Sequence, residues 1–356
     1  MRVRPSDEAG KRRSSVTASL AVSNDFQYLP AEHICEQYIS SKGLFMNQCP
    51  ICMQSVEPHF LCKVNLVYGT EYDLVQCPQC GIIHFSPLPT VSQLEAFYSS
   101  TYYDFDRSRE EGKGMAFARG LNRWKKKGKF LDVGCATGFF ISGIRNHSDW
   151  EVYGTDFGES AVRFAREALN LDVRQGDLSD AGFPSAMFDY VHVNNVLEHV
   201  LDPVSLLREC RRVLKPDGMF FLSVPNGYND SLDLIDFYKA EKKPARSKSG
   251  HIFFFPAKTL LHLFNDFGLV IQKKKTYSLK RGLRSAGILP RKREWKKDLF
   301  PRDKPEAAVG STIVLPDEPK KHSDLYYRYR FVQGNLQMVP GLYDFGLDFL
   351  FILSPT

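Results

Sequence analysis

The sequence lacks several features that would assign it to particular classes of protein. Its 356 residues contain no run of about 18 apolar residues, so the sequence predicts no membrane span. The basic and polar N-terminus has no apolar stretch behind it and therefore does not resemble a secretory signal. We accordingly expect a cytoplasmic protein, whose eight cysteines are reduced thiols or metal ligands rather than disulfides.

The sequence also lacks a large net charge of either sign. The net charge of +6 suits an anionic ligand, but it is too small to indicate nucleic-acid binding by itself. A hydrophobic fraction of 43% is that of a globular protein, and the length fits one large domain with an appendage, or two domains. Residues 1–30 begin with Arg and Lys among Ser, Gly and Pro, and we predict a disordered basic tail there. The functional alternative is an electrostatic arm for RNA or an acidic partner.

Four cysteines follow the tail as two C-x2-C pairs separated by 24 residues: Cys49 and Cys52, then Cys77 and Cys80. Each pair turns tightly enough to present both thiolates to one tetrahedral centre, and four thiolates leave no open position for a reactant. The pattern predicts a zinc ribbon over residues 45–88 that holds a structural zinc ion. The alternatives are two thiol pairs without a metal, a redox site, or His59 and His84 as rival ligands.

The next motif is a glycine-rich turn within residues 130–138, which read FLDVGCATG. An apolar run leads into the turn, and a helical pattern follows it. The order of strand, glycine-rich turn and helix is typical of nucleotide-binding sites in α/β sheets, because glycine lets the backbone approach a ligand and a helix N-terminus offers free N–H groups. A dehydrogenase is disfavoured, because its fingerprint needs another glycine three residues after the second and residues 139–141 contain none.

Further motifs follow in order. Asp156 ends the next apolar run, and an acidic side chain at the tip of a second strand can bind both hydroxyls of a ribose. Asp177 follows a third short strand, where it would meet an adenine edge. Residues 188–199 (FDYVHVNNVLEH) predict a fourth strand that leads into a helix, and a turn at 216–218 precedes a fifth strand at 219–224.

These ordered motifs resemble the class I S-adenosylmethionine-dependent methyltransferases over residues 90–278, and the apolar segment 347–353 resembles their last strand. The resemblance implies an α/β fold with a Rossmann-like seven-stranded sheet, here with a small N-terminal zinc-ribbon module. It also implies S-adenosylmethionine as the cofactor. The residues expected to bind the cofactor are Tyr103, Asp132, Gly134, Cys135, Ala136, Gly138, Asp156, Phe157, Asp177, Leu178 and Asn194.

The passage that leaves the ribbon, CG-xx-HFSPLPT followed by FYSSTYY, resembles the N-terminal part of bacterial sugar and surface-glycan methyltransferases. In those relatives aromatic residues cover the methyl donor, which makes Tyr103 a candidate; packing at the joint is the alternative. We assign residues 90–128 to a linker with donor-covering helices and 129–356 to the methyltransferase domain. A long insertion at about 279–346 interrupts that domain. Its basic and aromatic residues either line an acceptor pocket or form the solvent-exposed face of a lid.

Methyl transfer to a hydroxyl or carbon acceptor usually requires a base. His199 follows the fourth strand, near where the transferred methyl group should lie, and is the first candidate; His251 is the second. The alternative for each is a structural role.

The leading functional hypothesis is methylation of a small, anionic or glycan-linked acceptor: a sugar, nucleotide-sugar or glycan. An RNA methyltransferase is a second hypothesis, although no Asn-Pro-Pro-Tyr-like motif occurs. A quinone or other aromatic O-methyltransferase is a third, because that group shares the LEHVLDP stretch. A binding protein that keeps the fold without turnover is a fourth. Turnover, and not cofactor binding, would separate the last from the others.

Overall fold

The computed structural model describes residues 48–66, 70–94, 106–247, 249–277 and 348–356. The predicted tail (1–30), Tyr103 and the predicted insertion (279–346) lie outside these residues. Among the residues that are described, no helix is both long and apolar enough to cross a membrane.

The secondary structure divides into a group of strands near the N-terminus and an alternating β/α region. In chain order the strands are β1 (His59–Asn65), β2 (Glu71–Gln76), β3 (Ile83–Ser86), β4 (Lys129–Val133), β5 (Glu151–Asp156), β6 (Asp172–Gln175), β7 (Phe188–Asn194), β8 (Leu214–Pro225), β9 (Ala245–Arg246), β10 (Phe253–Phe254), β11 (Leu269–Tyr277) and β12 (Asp348–Pro355). The helices are α1 (Arg107–Trp124), α2 (Phe139–Arg145), α3 (Glu159–Glu167), α4 (Pro203–Val213), α5 (Gly227–Glu241) and α6 (Ala257–Asp266).

Seven strands form the larger sheet, in the spatial order β11-β12-β8-β7-β4-β5-β6. The strands from β4 to β8 are parallel to one another, whereas β12 lies between β8 and β11 and is antiparallel to both. This confirms the predicted seven-stranded Rossmann-like sheet. The chain moves from β4 outward to β5 and β6 and then returns to β7 on the other side of β4. That reversal opens a crevice at the carboxyl ends of β4 and β7, where open α/β sheets bind ligands.

Local sequence explains the helices that cover this sheet. Asp202 is the N-cap residue of helix α4, and its side chain accepts a hydrogen bond from the Ser205 N–H at 2.9 Å. Pro203 occupies the first turn of the helix. Its apolar stripe, which includes Leu207 and Cys210, is buried against the sheet. Cys210 is therefore a core residue, as its position on the stripe predicts.

Helices α1 and α2 cross at two glycines. A Cβ atom on Gly114 would lie 2.0 Å from the backbone oxygen of Phe140, and a Cβ on Gly143 would lie 2.2 Å from that of Glu111. No side chain fits at such distances, so the close crossing requires glycine at both positions.

Asp189, in β7, is held by two lysine side chains and one backbone amide. Its carboxylate accepts hydrogen bonds from Lys125 Nζ, from Lys215 Nζ at 2.9 Å and from the backbone N–H of Lys129 at 2.8 Å. Burial acts to raise the pKa of Asp189, but these hydrogen bonds outweigh it, and the net pKa is lowered. The charged carboxylate thus ties the start of β4 to β7.

The smaller sheet joins the two parts of the chain. Its spatial order is β10-β3-β2-β1-β9, so strands from the cysteine-rich region are flanked by two short strands from residues 245–254. The sequence predicts a flexible polar loop over 242–250, but β9 forms inside it. The edge strands β1 and β3 present unpaired backbone groups, and short segments of the larger domain satisfy them. The ribbon strands therefore do not form a sheet of their own.

Candidate active site and cysteine centre

The glycine-rich turn lies between β4 and α2. Gly134, Ala136 and Gly138 all have positive φ angles, of 72°, 49° and 77°. Glycine adopts this left-handed conformation without strain, and alanine does so at a small cost. The amides of Gly134 and Cys135 donate to the Thr155 carbonyl at 2.8 and 2.9 Å, which fixes the turn against the end of β5.

Asp156 organises the same edge. Its Oδ2 accepts a hydrogen bond from the Ala136 N–H at 2.7 Å, and its Oδ1 accepts one from the Gly158 N–H at 2.8 Å. Burial raises the pKa of this carboxyl, while the two backbone hydrogen bonds oppose the shift. A carboxylate has lone pairs beyond the two used here, so it can still accept hydrogen bonds from ribose hydroxyls. The neighbouring Phe157 is 53% exposed, which leaves an aromatic face accessible beside the carboxylate.

The other predicted cofactor residues fall into two groups. Gly134, Asp177 and Asn194 are exposed at the carboxyl edge, whereas Leu178 is buried beneath it. Asp132 is buried, and its Oδ1 lies 2.7 Å from Nδ1 of His192, a partner that the sequence analysis did not identify.

Cys135 has a packing role within the turn. A Cβ atom on Gly154 would lie 2.6 Å from Cys135 Sγ, so the thiol fills the space above the β5 backbone. Burial raises the pKa of this thiol well above its ordinary value, which keeps it protonated and unreactive. A buried, protonated thiol in this position packs the turn and does not act as a nucleophile.

Both predicted base candidates lie in one cluster with two carboxylates. The His199 and His251 rings are 4.7 Å apart, and their Nε2 atoms lie 3.8 and 3.9 Å from Oε1 of Glu198. His199 Nδ1 is 3.2 Å from the Gly250 carbonyl, and His251 Nδ1 is 2.6 Å from Oδ2 of Asp230. The sequence thus predicted the two histidines of this cluster, and the fold adds the carboxylates of Glu198 and Asp230.

The cluster combines groups with opposite pKa shifts. Burial raises the pKa of Glu198 to about 8. Burial, together with the nearby His251, lowers the pKa of His199 to about 3. Burial also acts to lower the pKa of His251, but the hydrogen bond and charge of Asp230 outweigh it, and the net pKa is raised. Perturbed groups gathered in this way are typical of functional sites.

The cluster lies beside the glycine-rich turn. Val196 packs directly on Gly134, where an added Cβ atom would lie 2.5 Å from Val196 Cγ2. Only one residue separates Val196 from Glu198, whose carbonyl accepts hydrogen bonds from the Ile252 and Phe253 amides at 2.9 and 3.1 Å. The carboxyl end of β7 therefore carries a chain segment that contacts the turn at one end and the His251 segment at the other.

Asp230 was not identified from the sequence. It lies in the first turn of α5, which begins after the N-cap residue Asn226 at the end of β8. Gly227 N donates to the Phe255 carbonyl at 3.0 Å, and this contact holds the start of α5 against β10. The available signal was the polar Asn-Gly-Tyr-Asn-Asp sequence after a carboxyl-edge strand, but nothing local indicates a histidine 21 residues later as its partner.

The four cysteines predicted to bind zinc converge to one centre. Cys49 Sγ lies 3.7 Å from Cys80 Sγ, and Cys52 Sγ lies 3.8 Å from Cys77 Sγ. Tetrahedral zinc with Zn–S bonds of about 2.3 Å has S···S distances of about 3.8 Å. The four sulfur atoms and their spacing therefore fit zinc. The centre also contacts helix α6, because the carbonyl of Cys80 accepts a hydrogen bond from the Thr259 hydroxyl at 2.8 Å.

Comparison with known proteins agrees with this architecture. Residues 106–274 match the family model described as "Methyltransferase domain". This match agrees with the seven-stranded sheet, whose strand order is that of the class I methyltransferase fold.

Individual relatives are similar over part of the chain. A Mycolicibacterium smegmatis protein named "Probable S-adenosylmethionine-dependent methyltransferase" is 35% identical over 97 residues, which are 27% of this chain and 37% of that protein. The ubiquinone biosynthesis O-methyltransferase of Actinobacillus pleuropneumoniae is 33% identical over 108 residues, 28% of this chain and 46% of that enzyme. The chain thus spans less than half the length of these two curated relatives. A solved S-adenosylmethionine-dependent methyltransferase from Archaeoglobus fulgidus is 18% identical, covers 71% of this chain and 99% of its own, and gives a TM-score of 0.40.

Proposed function

We propose that the protein transfers a methyl group from S-adenosylmethionine to an oxygen or carbon atom of a small acceptor. The observation that carries this proposal is the contact between Val196 and Gly134, because it places the Glu198–His199 step beside the turn that would bind the cofactor. A methyl group at that turn and an acceptor at the two histidines would be neighbours. In-line transfer depends chiefly on such positioning, since the sulfonium already supplies the leaving group.

Cofactor binding would use the carboxyl edge. Asp156 would accept hydrogen bonds from the ribose, Phe157 would cover the adenine, and Asp177 with Leu178 would meet the edge of the base. The turn from Gly134 to Gly138 would allow close backbone approach, with Asp132 and Asn194 at its flanks. Tyr103, which lies outside the described residues, remains our candidate for covering the methyl donor.

The histidines would act on the acceptor. Each has Nδ1 engaged by a carbonyl or carboxylate, so Nε2 is the nitrogen that can accept a proton or ligate. Both histidines remain our candidate catalytic residues, and His251, whose pKa is raised, would be the stronger base at neutral pH, because the pKa of His199 is lowered to about 3. Asp230 would orient His251 in the manner of a carboxylate that fixes an imidazole tautomer.

For the acceptor we propose a sugar, nucleotide-sugar or glycan. The support is the resemblance of the segment around the ribbon to sugar and surface-glycan methyltransferases. A quinone or aromatic alcohol is the second candidate, because several relatives are named ubiquinone biosynthesis O-methyltransferases and are 33–36% identical over the matched region. Both acceptor classes present a hydroxyl that must lose its proton, which suits the same cluster.

We further propose that the four-cysteine centre binds a structural zinc ion and that the protein acts in the cytoplasm. The S···S distances support the zinc ion, and the reduced thiols expected of a zinc centre support the location. Because four thiolates saturate the metal, zinc would hold the ribbon together and would take no part in methyl transfer.

The test combines cofactor binding with turnover. Calorimetric titration of S-adenosylmethionine should show binding that Asp156→Asn weakens about 10-fold to 100-fold, since a hydrogen bond to a charged group contributes about 1.5–3 kcal/mol. Glu159→Gln, an exposed neighbour in α3, is the matched control and should bind normally.

Turnover is then measured with methyl-labelled cofactor and a cell extract. Label in low-mass polar or glycan material supports the leading acceptor class, and label in solvent-extractable lipid supports a quinone. Label that is lost on ribonuclease treatment would instead make the protein an RNA methyltransferase. Cofactor binding without labelling of any fraction, at every pH tested, would contradict the enzymatic proposal.

A further inference from the structure

We propose that Glu198, His199 and His251 bind a divalent transition-metal ion at the carboxyl edge of the sheet, separate from the four-cysteine centre. The inference rests on the proposed function, because the same histidines would then act on the acceptor through the metal ion. The observation behind it is that three potential ligand atoms from two chain segments converge on one point.

The convergence is close enough for ligation. One ligand atom from each of the three residues can be chosen so that all lie within 4.8 Å of one another, and the two contacts from Glu198 Oε1 to the histidine Nε2 atoms are 3.8 and 3.9 Å. These contacts are too long for direct hydrogen bonds. Ligands about 2.0–2.2 Å from a central ion would need only a small contraction from these positions.

The histidines are arranged as metal ligands usually are. Nδ1 of His199 lies against the Gly250 carbonyl, and Nδ1 of His251 lies against the Asp230 carboxylate. Acceptors at these positions place the ring proton on Nδ1, so the lone pair is on Nε2, the atom that lies near Glu198. A ligating histidine almost always donates its other N–H to a carboxylate or carbonyl, and the carboxylate raises the basicity of the ring.

Glu198 supplies an independent observation. It is 1% exposed, and neither of its carboxylate oxygens has a hydrogen-bond partner among the described residues. Buried polar groups nearly always have partners, because leaving one unsatisfied costs about 1–3 kcal/mol or more. A cation bound between Glu198 and the two imidazoles would satisfy it.

The ligand set indicates the class of metal. Two imidazoles and one carboxylate favour zinc, manganese, iron or cobalt over calcium and magnesium, which prefer oxygen ligands. Three protein ligands leave coordination positions open, in contrast to the saturated cysteine centre. An acceptor hydroxyl that occupies an open position would have a lowered pKa. Its proton would leave to water, its oxygen would bond to the methyl carbon, and the bond from that carbon to the sulfonium would break.

The test is metal binding to protein that carries one zinc ion per chain, the amount that the four-cysteine centre takes, so that the proposed second site is empty at the start; it needs neither acceptor nor turnover. Mn²⁺ is titrated while the free-ion signal is followed by electron paramagnetic resonance, and Co²⁺ is titrated in parallel by its visible absorption. We expect stoichiometric binding that Glu198→Gln and His251→Asn abolish. Asp230→Asn should weaken binding about 10-fold to 100-fold, the usual effect of losing an outer partner of a ligating histidine. His262→Asn, at an exposed position in α6, is the matched control and should bind normally.

The outcomes separate this proposal from the proposed function. Each variant is first checked for S-adenosylmethionine binding and cooperative unfolding, so that a misfolded protein is not read as loss of the site. If wild-type protein binds neither ion, or if binding survives in both Glu198→Gln and His251→Asn, the metal site is wrong. Methyl transfer that persists in the absence of such binding would leave the proposed function intact, with the histidines acting directly on the acceptor.

Discussion

Removal of the proposed zinc ion should loosen the segment that carries His251. The segment 245–254 is attached to the cysteine-rich region at both ends, by β9 against β1 and by β10 against β3. A structural zinc ion contributes folding free energy outright, so its loss weakens the small set of strands that it organises. We therefore expect a change at the cysteine centre to appear as local opening in the candidate active site.

The size of the effect follows from the contacts. Ser247 N donates to the Asn65 carbonyl at 2.9 Å, Phe85 N donates to the Ile252 carbonyl at 3.1 Å, and the Thr259 hydroxyl donates to the Cys80 carbonyl at 2.8 Å. With a net contribution of about 1 kcal/mol each, their loss lowers the free energy of local opening by about 3 kcal/mol. Amide exchange in this segment should then accelerate about 100-fold.

The assay is hydrogen exchange followed by mass spectrometry, with and without a zinc chelator. A peptide that covers 245–254 should exchange faster after chelation, whereas one that covers β6, at the opposite edge of the larger sheet, should not change. The experiment is repeated in Glu198→Gln, so that a metal bound there cannot account for the result. Thr259→Val, which removes a single bond at nearly constant volume, should give a smaller acceleration of about 5-fold.

Two results would contradict different parts of the reasoning. If the chelator releases zinc and exchange of 245–254 does not change, the sheet does not couple the cysteine centre to the His251 segment. If the purified protein contains no zinc that can be released, and the four thiols react freely with a thiol reagent, the zinc assignment itself is wrong.

Three further predictions concern stability, measured as urea-induced unfolding. Gly114→Ala should destabilise by about 1–3 kcal/mol, because its Cβ would lie 2.0 Å from a backbone oxygen of α2. Gly120→Ala, in the same helix with nothing within 4 Å, should instead stabilise by about 0.5–1 kcal/mol; equal effects would refute the crossing argument. Asp189→Asn should cost about 1–3 kcal/mol at pH 7, and since the folded pKa is lowered, this difference should shrink as the pH falls below about 4; a constant difference would refute the ion-pair explanation. Gly227→Ala should destabilise by about 1–3 kcal/mol, because its Cβ would lie 2.2 Å from the Phe254 backbone, and a neutral result would show that α5 can shift.

The locally encoded parts of the molecule could be predicted well. The glycine-rich turn and Asp156 at the end of β5 are each set by a few consecutive residues, with apolar runs that fix the strands and glycines that fix the turn. The final strand β12 was expected from the resemblance to the class I methyltransferases and not from its local sequence alone. The cysteine pairs belong to the same category, since each C-x2-C pair turns on itself.

Only the tertiary structure could decide which residues make up the cluster around His199 and His251. His199 and His251 were identified as separate candidates, but their shared contact with Glu198, and the pairing of His251 with Asp230, depend on how β7, α5 and β10 meet. A local sequence pattern cannot report the burial of a glutamate, because the shielding side chains come from distant segments.

The sequence by itself thus determined the glycine-rich turn and the two cysteine pairs, because each depends on the spacing of neighbouring residues, and the resemblance of its ordered motifs to the class I methyltransferases implied the seven-stranded sheet. The tertiary structure decided that the ribbon strands share a sheet with residues 245–254, and that the candidate active site lies where this sheet meets the carboxyl edge of the larger one. The physical reason is that an unpaired strand edge accepts any extended segment within reach, and chain topology determines which segment that is.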